Sequence, residues 1–132
     1  MQLKAGAAHR IVKPGQVFNR IHVTDIAAVI EASLRKPRPG AIYNVTDDEP
    51  ASPQDVIEFA AKLCRREPPP EIPIEHADLS PMARSFYSEN KRVRNELIHE
   101  ELGITLSYPS YREGLTALRA LGDGPGDPLS LR

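Results

Sequence analysis

Tyr87 and Lys91 stand four residues apart in SFYSENKRV, residues 85–93. That spacing would put both on one face of a helix. A lysine ammonium beside the phenol would lower the tyrosine pKa and give a usable acid/base pair. Tyrosine and lysine four apart also arise by chance, so the surrounding elements must decide. The same stretch concentrates cations: Arg84, Lys91, Arg92 and Arg94, with Ser85, Ser88 and Asn90 interleaved. Charge-assisted hydrogen bonds from such a group could hold a phosphate or a carboxylate. The competing reading is a solvated surface paired with Glu89 and Glu96.

Other chemistries find less support. His9, His22, His76 and His99 are scattered, and none pairs with another at i+3 or i+4. No metal site is expected from them. His99-Glu100-Glu101 reads as the polar side of a helix. Asp47-Asp48-Glu49 reads as an acidic loop before a capped helix rather than a cation site. Ser80 and Ser85 sit in no nucleophile elbow and beside no histidine. Gly122, Gly124 and Gly126 alternate, but a helix precedes them, whereas a dinucleotide fingerprint needs a strand before and a helix after. The single cysteine, Cys64, excludes an intramolecular disulfide and a cysteine zinc cluster, and it reads as a buried, inert thiol. The pattern suits a reducing compartment, so a cytoplasmic location is expected.

A formal net charge of −1 provides no electrostatic footprint for nucleic acid or an acidic membrane. No apolar run approaches the roughly 18 residues of a membrane span, and MQLKAGAAHR lacks a signal-peptide core. At 132 residues the chain is long enough to bury a core unaided.

Two β-rich runs, Arg10–Lys13 and Gln16–Val23, flank the turn dipeptide Pro14-Gly15. Thr24-Asp25 offers an N-cap and an acidic first turn, and Ile26, Val29, Ile30 and Leu34 follow at helical spacing. Pro37 and Pro39 stop that helix. GAIYNV, residues 40–45, reads as a strand buried on both faces. SPQDVIEFAAKLC opens with Ser52 at the N-cap, Pro53 at the first helical position and Asp55 as the capping partner. Residues 16–64 thus read strand–helix–strand–helix. The proline-rich REPPPEIPIE should run extended. Further on, a helix over Asn95–Leu102 closes at Gly103, ITLSY suits a short strand, and Ser110 with Glu113 forms a capping box opening a helix to about Leu121. Three units result: an α/β layer over 1–64, a mostly helical segment over 65–121, and a disordered tail over 122–132.

The order of these segments carries a resemblance. FNRIHVTDIA, then GAIYNVTDDEPASPQDVIEFAAKL, then NKRVRNELIHEELGITLSYPSYREGL resembles the C-terminal, substrate-side half of an extended short-chain dehydrogenase/reductase, more narrowly the NAD-dependent epimerase/dehydratase group. It covers about residues 1–118. The resemblance implies a partial Rossmann-like α/β sheet of two or more parallel strands with helices, followed by a mostly helical substrate-binding segment. It implies NAD or NADP for the complete enzyme, with none bound by this chain alone. The family's nucleotide loop and catalytic Ser and Tyr-x-x-x-Lys precede the segment matched by His22-Val23-Thr24-Asp25. Tyr87 and Lys91 follow it, so they are not expected to be the catalytic dyad. No catalytic residue is assigned. Arg84, Ser85, Ser88, Asn90, Lys91 and Arg92 are the expected substrate contacts, with His22 and Asn44 lining the cleft. Expected partners are a small-molecule substrate, anionic where these cations contact it, and either an N-terminal cofactor-binding half or a second copy. The alternative function is a non-catalytic module that self-associates through an exposed sheet edge.

Overall fold

A computed structural model describes residues 9–123. Its strands are β1 (Arg10–Val12) and β2 (Glu71–Pro73), and its helices are α1 (Val23–Arg35), α2 (Pro53–Leu63), α3 (Pro81–Ser85), α4 (Glu96–Glu100) and α5 (Tyr111–Leu118). The architecture is α/β. β1 and β2 pair in parallel, Ile11 opposite Ile72, so the proline-rich stretch does run extended and contributes a strand. Arg10 reinforces the pair through its ion pair to Glu71, 3.2 Å away.

The sheet therefore forms from different segments than the apolar runs suggest. Gln16–Val23 is not a continuous strand; it makes a single antiparallel bridge, Phe18 to Ala51. Residues 40–45 and Ile104–Tyr108 are not strands either. Tyr43, Val45 and Ile104 point into the core, but Ile42 is 81 % exposed, so residues 40–45 are covered on one face rather than both and have no ladder. A strand needs a neighbour for its backbone groups, and local sequence does not specify one.

The helices begin largely where their caps dictate. Ser52 Oγ accepts the Asp55 N–H at 3.2 Å and Pro53 occupies the first turn of α2. The Ser110–Glu113 box is complete: Glu113 Oε2 accepts the Ser110 N–H at 2.9 Å. α5 then passes into a π-helical turn over Arg119–Asp123, where Gly122 has φ +94°. Gly122 and Asp123 thus belong to a helical turn, and Gly124, Gly126 and the remainder of the expected tail lie outside the described residues. Gly103, at φ +67°, closes α4, its N–H donating to His99 O. α3 opens at Ser80, whose Oγ accepts from Ala83 N. Cys64 caps the end of α2 and is half-buried rather than buried.

α1 starts two residues earlier than an N-cap at Thr24 predicts. Its cap is His22, whose Nδ1 accepts the Thr24 N–H at 3.2 Å. Asp25 therefore falls inside the first turn. It is 1 % exposed, and its two carboxylate oxygens accept the N–H groups of Ser107 (2.8 Å) and Tyr108 (2.9 Å). This clamps the start of α1 to the loop before α5. Beside it lies the core: Val29 of α1, fully buried Ile98 of α4, Leu102 and Leu106. Removing Asp25 would leave these two backbone donors without their acceptor. Asp25→Ala should lower the unfolding free energy by roughly 2–4 kcal/mol, with Asp25→Asn less damaging, in urea unfolding at unchanged m. A loss below about 1 kcal/mol would mean the loop is held by other contacts.

Candidate functional site

The segment 13–19 and the segment 87–93 lie side by side, joined mainly by side-chain amides. Asn90 Oδ1 accepts the Val17 N–H at 3.0 Å while its Nδ2 donates to Gly15 O at 2.8 Å. Asn19 reciprocates, its Nδ2 donating to Lys91 O and its Oδ1 accepting from Val93 N. Each asparagine imitates a peptide group and pairs a strand-like stretch without a ladder. Gln16 Nε2 adds a bond to Glu89 O at 2.8 Å, and Lys13 Nζ donates to Tyr87 O.

This seam borders two concavities. One, of about 270 Å³, lies between the first turns of α2 and α5 and is lined by Gln16, Gln54, Asp55, Arg92, Tyr111 and Arg112 among others. Arg112 is committed: its guanidinium bonds both carboxylate oxygens of Glu49, at 2.7 and 2.5 Å, and lies over the Tyr111 ring. Arg92 is exposed and has no hydrogen bond or ion pair among the described residues. Gln16 is 2 % exposed; its Nε2 is used on Glu89, which leaves its Oε1 buried without a partner, and Gln54 Oε1 is buried and unpartnered too. A free guanidinium in the lining of this pocket suits a ligand with an anionic group. The second concavity, about 200 Å³, is lined by Phe18, Asn19, Ser85, Phe86 and Lys91.

The expected contacts do not converge on one point. Arg92 lines the first pocket, and Ser85 and Lys91 line the second. Arg84 is exposed but committed, donating to Ala77 O at 3.0 Å. Ser88 Oγ donates to Ser85 O at 2.6 Å, and Asn44 Nδ2 donates to Arg94 O. Nor do Tyr87 and Lys91 share a helix, since α3 ends at Ser85. Tyr87 packs edge-on against Phe18, and burial pushes its phenol pKa up, the opposite of what an acid/base tyrosine requires. Lys91 pairs instead with Glu89, 2.6 Å away.

His22 lines a third, smaller pocket of about 140 Å³ with Arg20, Asp47, Ser110 and Tyr111. Its ring stacks on Tyr108 at 3.9 Å, and its Nε2 is buried without a partner. Burial pushes the Asp47 carboxyl up to about 6, against the opposing pull of Arg20 and a bond from Glu49 N. Burial likewise lowers the Arg20 pKa. His99 is not merely solvated: Nδ1 meets Ile104 O at 2.7 Å and Nε2 meets Asp48 Oδ1 at 3.0 Å. Its bond to Ile104 O, seconded by Asp48, raises its pKa. Gln16, Gln54 and Arg20 went unnoticed in the sequence. Gln16 and Gln54 carry no spacing or charge cue, and Asp47 read as ordinary loop acid. Among the described residues no group of three or more His, Cys, Asp or Glu side chains is placed to hold a metal ion. No described helix is long and apolar enough to cross a membrane.

No family model and no curated protein matches the chain. Solved structures do. A functionally unknown conserved protein from Silicibacter pomeroyi DSS is 62 % identical, with a TM-score of 0.87, over 89 % of this chain and 43 % of that one. Human epimerase family protein SDR39U1 (isoform 2), crystallised with NADPH, is 16 % identical with a TM-score of 0.74, over 90 % of this chain and 41 % of that one. The chain therefore spans less than half the length of either protein. Its α/β fold is similar to part of each of these proteins.

The acid of the third pocket gives a pH signature. Asp47 holds its proton more tightly when folded, so its contribution to stability is complete below its ordinary value near 4 and is lost as pH rises through about 6. Asp47→Asn should flatten the fall in unfolding free energy between about pH 4 and 7 relative to the native chain. An unchanged slope would place the titration elsewhere.

Proposed function

We propose that this chain is the substrate-binding portion of an NAD(P)-dependent epimerase/dehydratase-like oxidoreductase. The observation that carries this reading is the likeness of nearly the whole chain to part of an epimerase family protein crystallised with NADPH. Nicotinamide cofactor, NAD or NADP, belongs to the complementary half in this proposal, because residues 1–132 contain no dinucleotide fingerprint. The chain alone then carries no catalytic residue and transfers no hydride. Its contribution is to hold a small anionic substrate, and Arg92 is the residue best placed for it. The uncommitted Arg92 guanidinium in the lining of the 270 Å³ pocket supports that role. Ser85 and Lys91 would meet a more distal part of the substrate across the seam. A cytoplasmic location remains part of the proposal.

A second reading has one observation in its favour. The two-stranded sheet leaves an outer edge on both β1 and β2 among the described residues, so a non-catalytic module could self-associate there. A homodimer with a sheet continuous across its interface would support that reading.

The test of the first is a panel of di- and tricarboxylates and sugar phosphates followed by NMR on the native chain and on Arg92→Ala. Loss of one charge-assisted bond should weaken the best binder by roughly 1.5–3 kcal/mol, about ten- to a hundredfold. Equal affinity for both proteins would remove Arg92 from the site.

A further inference from the structure

His99 of α4 stands between two acceptors. Its Nδ1 lies 2.7 Å from Ile104 O, just after the helix, and its Nε2 lies 3.0 Å from Asp48 Oδ1. A carbonyl and an ionised carboxylate offer only lone pairs. A neutral imidazole has a single N–H, so either tautomer turns a nitrogen lone pair onto an oxygen lone pair. Only the imidazolium, with two N–H groups, satisfies both contacts at once. The charges acting on the ring are Asp48, from the loop opposite, and Glu96, one turn earlier in α4; both are negative. The bond to Ile104 O and these two acids outweigh partial burial and raise the His99 pKa.

What His99 holds is the loop of residues 46–51. Asn95 Nδ2, at the cap of α4, donates to Thr46 O at 3.0 Å and to Asp48 Oδ1 at 2.7 Å. Asp48 N donates to Pro109 O at 3.0 Å, beside the cap of α5, and Glu49 pairs with Arg112 of that helix. Asp47 lines the third pocket with Arg20, His22 and Tyr111, while Glu49, Pro50 and Ala51 line the first. We propose that His99 is a pH-dependent clasp: as an imidazolium it ties residues 46–51 to α4 and to Ile104, and on losing its proton it gives up one of the two bonds and loosens that wall of the first pocket. The inference goes beyond the functional reading and holds whatever ligand the pocket takes. Stabilisation by the clasp is complete below the ordinary histidine value near 6.5 and is lost as pH rises through the higher folded value. Asp47 acts in the same direction but in a lower window, which ends at about pH 6.

The test is an NMR titration of the native chain from about pH 5 to about pH 9, spanning the ordinary histidine range. It reads the His99 ring resonances together with the amide protection factors of Asp48, Glu49 and Ala51, corrected for intrinsic exchange. The expected result is a ring protonated on both nitrogens at the acid end and titrating above its ordinary value. Protection should fall about tenfold across that titration, as one charge-assisted bond is lost. Asp48→Asn should lower the His99 pKa. His99→Gln cannot titrate and should abolish the step, whereas Asp47→Asn should leave it in place. The His99 side chain is 33 % exposed, so the glutamine variant should fold; if it does not, the two readouts on the native chain decide. A His99 ring that titrates at or below its ordinary value, or protection that ignores its titration, would overturn the proposal. So would a step that survives His99→Gln and vanishes in Asp47→Asn, because Asp47 would then be the group that loosens the loop.

Discussion

One buried carboxylate organises this molecule. Asp25, two residues into α1, accepts the backbone N–H groups of Ser107 and Tyr108, eighty residues further along the chain. Its negative charge also lies in the first turn, where the helix dipole favours an anion. With the loop fixed there, Tyr108 stacks on His22, the residue that caps α1. Two residues later Ser110 opens α5 and delivers Tyr111 and Arg112 to the first pocket. The close approach has a steric condition as well: Gly114 of α5 is buried, and a Cβ there would come within 3.4 Å of the His22 ring.

The second constraint is the asparagine seam. Asn19 and Asn90 let two irregular segments satisfy each other's backbone groups without becoming strands. Irregular backbone can then run beside a pocket without leaving buried donors unpaired. The arrangement also separates functions within one short stretch. Asn90 is consumed in holding the chain, Lys91 is paired with Glu89, and the Arg92 guanidinium has no partner among the described residues. Residues adjacent in sequence therefore differ completely in what they can offer a ligand.

What could be read in the sequence follows from range. The Ser52 and Ser110 caps and the Gly103 stop act over three or four residues, and all three are found where the sequence puts them. The α/β class was legible for the same reason, since helix periodicity and β-rich runs are local. Strand identity was not. β1 pairs with β2 across some sixty residues, and nothing in GAIYNV reveals that it lacks a neighbour here while EIP in a proline-rich stretch has one. The site shows the same division. Arg92 was visible as a charge, but its freedom depends on Glu89 and Glu49 engaging the neighbouring cations, and the unpaired oxygens of Gln16 and Gln54 arise only from tertiary contacts. Asp25 was noticed as a helix-start acid; its distant partners were not.

The central proposal is that this chain supplies a substrate wall and another half supplies the cofactor. The most direct test is a titration of the purified chain with NADH and with NADPH, followed by nicotinamide fluorescence. The account predicts no saturable binding to the chain alone. Micromolar binding of either nucleotide would contradict it, because it would require a dinucleotide site built from these residues themselves.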